Sequence, residues 1–168
     1  MFSGELSEKA KGLLERCRRQ GLRVATAESC TGGLVAACIT EIAGSSDVFD
    51  RGFVTYSNEA KMDLLGVPSE LLDAHGAVSA EVARAMAEGA LARSRADVAV
   101  AITGIAGPGG GSAQKPVGLV YMGVARKGGS TSTERHVFPG DRTGVRLASL
   151  ERALGLLEGA AAPLEGAP

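Results

Sequence analysis

One run of residues constrains the fold more than any other. Val98, Ala99, Val100, Ala101 and Ile102 are consecutive apolar residues, opened by Asp97 and followed at once by Thr103-Gly104. A strand with one wet face alternates apolar and polar residues, whereas a strand covered on both faces needs no such alternation. This run therefore predicts a central strand with helices packed on both sides of its sheet.

The rest of the chain supplies those helices and further strands. Leu6, Ala10, Leu13, Leu14 and Cys17 share one helical face over Leu6–Arg19, and Gly21 closes the pattern. A short β-like run, Leu22–Ala27, precedes a helix over Thr31–Ile42. After the turn Gly44-Ser45-Ser46 come a strand at Phe53–Tyr56 and a helix at Asn58–Leu65. Pro68 stands at the first position of a short helix containing Glu70, Leu71 and Leu72. Ser79 and Glu81 open what reads as the longest helix, ending near Ser94. Beyond the central run lies a glycine-rich stretch, Gly104–Lys115. Val117–Ala125 and Thr131–Phe138 then read as strands joined through Lys127-Gly128-Gly129. Asp141 caps a last helix to about Leu157, and Ala160–Pro168 is expected to fray. The order predicts an α/β fold in one domain spanning residues 1–168. Its architecture is a three-layer α/β/α sandwich on a mixed, mostly parallel sheet of about five strands with a closing hairpin.

Composition narrows the function. Apolar residues are 45% of the 168, enough for one covered core, but aromatics are 4% and Trp is absent. The formal charge is −1 with no basic cluster, which argues against nucleic acid as a partner and leaves room for a nucleotide-sized ligand. No run approaches the roughly 20 apolar residues of a membrane span, and the N-terminus lacks the pattern of a signal peptide. A cytoplasmic location is expected. Cys17, Cys30 and Cys38 are odd in number and lack Cys-x-x-Cys spacing, so neither a disulfide framework nor a metal site is expected. The Ala-rich helices, read as exposed, make a homodimer a possible assembly.

Four stretches carry chemistry. Glu28-Ser29-Cys30-Thr31-Gly32-Gly33 lies where a strand hands over to a helix, the end of an α/β sheet at which ligands bind. Ser29 there suits a nucleophile beside free backbone N–H groups. Capping the helix is the commoner use of Ser29 or Thr31. Tyr56-Ser57-Asn58-Glu59-Ala60-Lys61 repeats the handover, and Asn58 and Lys61 are three apart on a helix. The two histidines, His75 and His136, lie outside the strand-end motifs, so Lys61 is the available base. It would need a depressed pKa, with Tyr56 relaying a proton; an ordinary solvated lysine is the plainer reading. Thr103-Gly104-Ile105-Ala106-Gly107-Pro108-Gly109-Gly110-Gly111 suits a backbone cradle for an anion or a flexible loop. It is neither a Walker loop nor a dinucleotide fingerprint, because a strand follows it. Arg142 and Arg146 lie four apart at the start of the last helix, as an anion clamp or a solvated pair.

Together and in this order, Glu28–Gly33, Tyr56-x-Asn58-x-x-Lys61 and Thr103–Gly110 resemble the CinA C-terminal domain family, from about Leu6 to Leu157. Stand-alone members of that family are nicotinamide-nucleotide amidases. Larger members carry a further N-terminal domain, for which this chain is too short. The resemblance implies deamidation of nicotinamide mononucleotide to nicotinic acid mononucleotide and ammonia, without a cofactor. It implies Ser29 as nucleophile and Lys61 as base, with Tyr56 assisting. Cys30, Thr31, Gly32, Gly33, Asn58, Thr103, Gly104, Gly107, Gly109 and Arg142 would form the substrate site. The alternatives are a pyridine-nucleotide-binding or regulatory module without turnover, and an amidase for another small amide.

Overall fold

The computed structural model describes residues 1–163. Helix α1 (Gly4–Gln20) starts at Ser3, whose side chain accepts from the Leu6 N–H, and stops at Gly21 in the left-handed conformation. Then follow β1 (Val24–Glu28), α2 (Leu34–Thr40), a single 3-10 turn, β2 (Phe49–Val54), α3 (Asn58–Leu65), α4 (Ser69–His75) and α5 (Ala80–Ala92). The second half is β3 (Val98–Gly104), β4 (Leu119–Arg126), β5 (Ser132–Val137) and α6 (Arg142–Ala160). The sheet order is β2-β1-β3-β4-β5. Strand β1 is parallel to β2 and β3, while β4 is antiparallel to β3 and β5. Four strands thus point one way and β4 the other.

Strand β3 occupies the centre, and its side chains divide between two cores. Val98, Val100 and Ile102 pack with Leu13, Leu14, Val35, Ile39, Leu150 and Leu154 of α1, α2 and α6. Ala99 and Ala101 face the opposite way, with Leu65, Val82, Met86 and Ala87 of α3 and α5. Each fully buried Leu, Val or Ile contributes about 1.5–3 kcal/mol relative to exposure, so a core poor in aromatics still holds. The second face relies on close approach instead of bulk. A Cβ on Gly123 of β4 would lie 2.5 Å from the Ala83 carbonyl oxygen of α5. Ala83, Ala87 and Ala90 of α5 are buried towards the sheet, so this helix is not the exposed Ala-rich one expected, although Ala92 at its end is exposed.

Several boundaries differ from the sequence expectation. The longest helix is α6, at 19 residues, and α5 has 13. Strand β2 begins at Phe49 and ends at Val54, so Thr55 and Tyr56 lie beyond it. It is an edge strand with charged interior residues, and Asp50 accepts there from the Arg95 N–H at 3.1 Å and the Arg51 Nε at 2.7 Å. An edge strand needs no continuous apolar run, which hid its first half. Helix α2 begins at Leu34, because Gly32 and Gly33 take positive φ values of 59° and 96°. Strand β3 extends to Gly104. Ala160, expected in the tail, ends α6, and Ala161 is buried; Leu164–Pro168 lie outside the described residues. Among the described residues no helix is long and apolar enough to cross a membrane. The carboxyl ends of β2, β1 and β3 converge on one edge, and that edge carries the site.

Candidate active site

The first component comes from the end of β1. Ser29 extends the strand by one bond, its N–H donating to the Ile102 carbonyl at 2.9 Å. The chain then turns sharply, and the Gly32 N–H donates back to the Ser29 carbonyl at 3.0 Å. The first N–H groups of a helix need acceptors. At α2 they are met by Glu28, whose buried carboxylate accepts from Gly33 N and Val35 N at 3.1 Å and Ala36 N at 2.9 Å. The cap of α2 is therefore a carboxylate from inside the strand, and neither Ser29 nor Thr31 serves. The Ser29 hydroxyl is left for other work.

That hydroxyl meets Lys61. Helix α3 is capped by Ser57, which accepts from the Ala60 N–H at 3.0 Å, and its first turn carries Lys61 inward. Lys61 is only 1% exposed and Ser29 9%. The Lys61 Nζ lies 3.1 Å from Ser29 Oγ and 2.8 Å from the Thr55 carbonyl. The Tyr56 and Ser57 carbonyls are more distant, at 3.5 and 3.4 Å. Burial lowers the Lys61 pKa below its ordinary value, against weaker opposing contributions from Cys30 and Glu59. A neutral amine has two N–H bonds to give and one lone pair. The nearest polar neighbours of Nζ are the Thr55 carbonyl and the Ser29 hydroxyl.

The glycine loop after β3 closes the third side. Ile105 N–H donates to Leu119 O at 2.9 Å and Gly118 N–H to Ile105 O at 2.8 Å, anchoring the loop to β4. Gly107 has φ 85°, and a Cβ there would lie 2.6 Å from Val117 Cγ1. A cavity of about 270 Å³ is lined by Ser29, Cys30, Tyr56, Arg142 and loop residues Gly104–Gly107, Gly109 and Gly110. Arg142 spans it, donating from Nη1 to the Gly107 carbonyl at 2.8 Å and from Nη2 to the Tyr56 hydroxyl at 3.0 Å. Arg146, one turn further along α6, donates to the Cys30 carbonyl at 3.2 Å and the Thr31 carbonyl at 3.0 Å. Among the described residues, the N–H groups of Cys30, Ala106, Gly107, Gly109 and Gly110 have no protein acceptor.

The sequence matches the CinA C-terminal domain model over residues 6–161. The chain belongs to the CinA C-terminal domain family. The nicotinamide-nucleotide amidohydrolase PncC of Escherichia coli K12 is 52% identical over 154 residues, covering 92% of this chain and 93% of that protein. The nicotinamide-nucleotide amidohydrolase PncC of Enterobacter agglomerans is 58% identical over 130 residues, 77% of this chain and 79% of that protein. Other relatives are longer, and the chain spans about a third of them. The CinA-like protein of Akkermansia muciniphila is 54% identical over 149 residues, 88% of this chain and 36% of its own length. Among solved structures, the competence/damage inducible protein CihA from Agrobacterium tumefaciens superimposes with a TM-score of 0.93 at 52% identity. The superposition covers 95% of this chain and 98% of that one.

Within this CinA-type site the expected residues fall into distinct groups. Ser29, Cys30, Tyr56, Gly104, Gly107, Gly109 and Arg142 line one cavity, and Lys61 lies beneath Ser29. Tyr56 is 61% exposed; Arg142 holds its hydroxyl, which makes no bond to Ser29 or Lys61. Thr31 is buried, and Gly32 and Gly33 form the turn behind the serine. Gly32 and Gly33 have already committed their N–H groups, to Ser29 O and Glu28. Asn58 is exposed at the start of α3, apart from the buried Lys61 with which a helical face was predicted. The Thr103 hydroxyl is turned away from the cavity, donating to the Ala77 carbonyl at 2.8 Å. Cys30 packs in the core, its thiol pushed up to about 11 by burial. Neither histidine reaches the cavity: His136 pairs with Glu134 at 2.8 Å and stacks on Phe138. Sequence reasoning missed the role of Glu28 and assigned Arg146 to an anion clamp or to solvent. A carboxylate closing β1, the one charged residue in Val24–Glu28, was the signal for the first.

Proposed function

We propose that this chain hydrolyses the carboxamide of nicotinamide mononucleotide, giving nicotinic acid mononucleotide and ammonia. The observation that carries the reading is the buried Ser29–Lys61 pair, with oxygen and amine 3.1 Å apart beneath an open cavity. A serine without an activating base is a poor nucleophile at neutral pH. A lysine deprived of water supplies that base. The activity for which the PncC relatives are named supports the substrate, and the free N–H groups of the glycine loop suit its phosphate.

The reaction runs by acyl transfer. Neutral Lys61 takes the hydroxyl proton as Ser29 Oγ attacks the amide carbon, and the carbonyl oxygen becomes an oxyanion. The Cys30 N–H, without a protein acceptor and beside the serine, is the donor for it; those of Gly32 and Gly33 are already committed. The Lys61 ammonium then protonates the amide nitrogen, the C–N bond breaks and ammonia leaves. Water attacks the resulting ester, giving its proton to Lys61, which returns it to Ser29. The substrate's pyridinium charge favours a neutral Lys61 when bound. Tyr56, fixed through Arg142, borders the departing group. A cytoplasmic location fits three free cysteines.

The test is ammonia release from nicotinamide mononucleotide, its riboside and nicotinamide, with wild type and Ser29→Ala. Wild type is expected to turn over the mononucleotide best, and Ser29→Ala to bind it without turnover. Near-normal release by Ser29→Ala would overturn the nucleophile. Tight binding by wild type without release would make the chain a pyridine-nucleotide-binding module.

A further inference from the structure

The turn behind Ser29 is gripped from two sides. Glu28 draws the N–H groups of Gly33, Val35 and Ala36 onto one carboxylate. Arg146 reaches across from α6 and holds two successive carbonyls, Cys30 O with Nε and Thr31 O with Nη2. Its guanidinium passes close over Gly32, where a Cβ would come within 3.7 Å of Nη2. With Gly32 N–H on Ser29 O, residues 29–33 have every backbone group assigned except the Cys30 and Thr31 N–H groups and the Gly32 carbonyl. Both N–H groups follow the reacting serine directly in the chain.

We propose that Arg146 is a positioning residue for the proposed acyl transfer: it holds the Cys30–Thr31 and Thr31–Gly32 peptides, so that the Gly32 N–H stays on Ser29 O and the Cys30 N–H, in the same peptide plane as Ser29 O, stays aimed at the developing oxyanion. A peptide group is planar. Fixing the Cys30 carbonyl therefore fixes the plane that follows Cys30, while the Gly32 N–H fixes the plane that precedes it. Two bonds from one rigid guanidinium fork define the orientation better than two independent ones. They are also charge-assisted, and so stronger than neutral bonds. Displacing catalytic geometry by about 1 Å costs on the order of a hundredfold in rate, although no contact with substrate is lost.

Arg146 is half-buried and lines no part of the Ser29 cavity. Its loss should therefore spare ground-state binding. Arg142, its neighbour one turn earlier, ties the other two loops through Gly107 and Tyr56. Helix α6 thus reaches all three loops with two arginines, and only Arg146 reaches the nucleophile turn.

The inference rests on the amidase reading, so its test carries one arm that needs no amide. Arg146→Ala is expected to lower kcat for nicotinamide mononucleotide by about ten- to a hundredfold, with KM within about twofold. Millimolar guanidinium should restore part of that kcat, and should restore nothing to Ser29→Ala. In the second arm a fluorophosphonate labels Ser29, followed by intact mass. The Ser29 oxygen displaces fluoride at phosphorus, and the P–O oxygen needs the same Cys30 donor. Labelling should slow in Arg146→Ala and recover with guanidinium. Should Arg146→Ala fail to fold, Arg146→Lys replaces it, with an intermediate loss expected in both arms. Wild type that labels but releases no ammonia would sink the amidase reading and leave this inference standing. An unchanged labelling rate in the variant, or a loss that guanidinium never restores, would overturn the inference itself.

Discussion

Replacing Lys61 by methionine separates a lysine that acts as a base from one that merely fills the core. Methionine keeps the length and apolar stem of a side chain only 1% exposed and deletes the amine. The chemical effect is large. In the proposed reaction Lys61 is base towards Ser29 and acid towards departing ammonia, and one such group contributes about 10²–10⁴ in rate. A loss of at least about a thousandfold in kcat follows, on the order of 4 kcal/mol of barrier. The effect on stability is small by comparison. The Thr55 carbonyl loses its 2.8 Å donor, worth about 1–3 kcal/mol where the group stays buried. Relief of a desolvated amine opposes that loss. The net change should stay within about 2 kcal/mol.

The pH dependence supplies the sign. Burial lowers the Lys61 pKa below 10.5, and in the proposed reaction the neutral amine is the active form. Turnover should rise with pH to a plateau once the amine has lost its proton. For stability, the unfolded chain holds the lysine proton to higher pH than the folded one. Between the folded and unfolded pKa values the unfolded state binds more protons, so stability rises with pH. Below the folded pKa the cost of a buried ammonium is felt in full. Wild type should therefore gain on Lys61→Met as pH climbs towards 10.5. The cysteine thiols, raised to about 11, act in the opposite sense above pH 9, but they do so in both proteins. The assays are ammonia release and urea unfolding across roughly pH 6 to 10. Turnover by Lys61→Met within tenfold of wild type would refute the base. A stability difference that fails to widen with pH would refute the depressed pKa.

Three further outcomes follow from the geometry. Glu28→Gln leaves one amide oxygen facing three helix N–H groups. It should cost about 2 kcal/mol or more in urea unfolding, and a change under about 0.5 kcal/mol would deny the carboxylate its capping role. Gly107→Ala puts a Cβ 2.6 Å from Val117 at φ 85° and should displace the loop. KM for the mononucleotide would rise at least severalfold while Ser29 labelling stays normal; an unchanged KM would remove the loop from the substrate site. Arg142→Met frees both the Gly107 carbonyl and the Tyr56 hydroxyl. It should raise KM about tenfold, again with normal labelling. Slowed labelling would mean that Arg142 also supports the nucleophile turn.

What the residue order discloses depends on how many faces of an element are dry. Strand β3 is buried on both sides, so its composition alone announced it. Strand β2 sits at an edge with Asp50 and Arg51 in its interior, where pairing with side chains replaces burial, and only its apolar end was readable. Ser29 and Lys61 drew notice by their place at strand-to-helix handovers, where a cap and a solvated lysine were the plainer readings, and their roles came only with the family resemblance. Their contact was not legible, since residues 32 apart in sequence meet only when β1 and β2 lie side by side in parallel. Arg146 looked like half of a surface pair because four-residue spacing on a helix describes a face and says nothing of what crosses it.

The cap of α2 shows why local rules and the site had to part. A serine at a helix start normally accepts an N–H from the first turn. An Oγ used that way is held by the backbone and aimed along the helix, away from any base. The need for a cap remains, because three buried N–H groups without acceptors would cost several kcal/mol together. Strand β1 resolves the conflict one residue earlier. Glu28 points to the α2 side of the sheet and meets those N–H groups with charge, and the next residue is released to Lys61. The capping preference of Ser29 was thus outcompeted by a stronger acceptor on its own strand. The same carboxylate that stabilises the helix also takes up the Gly33, Val35 and Ala36 N–H groups, leaving those of Cys30 and Thr31 without a protein acceptor.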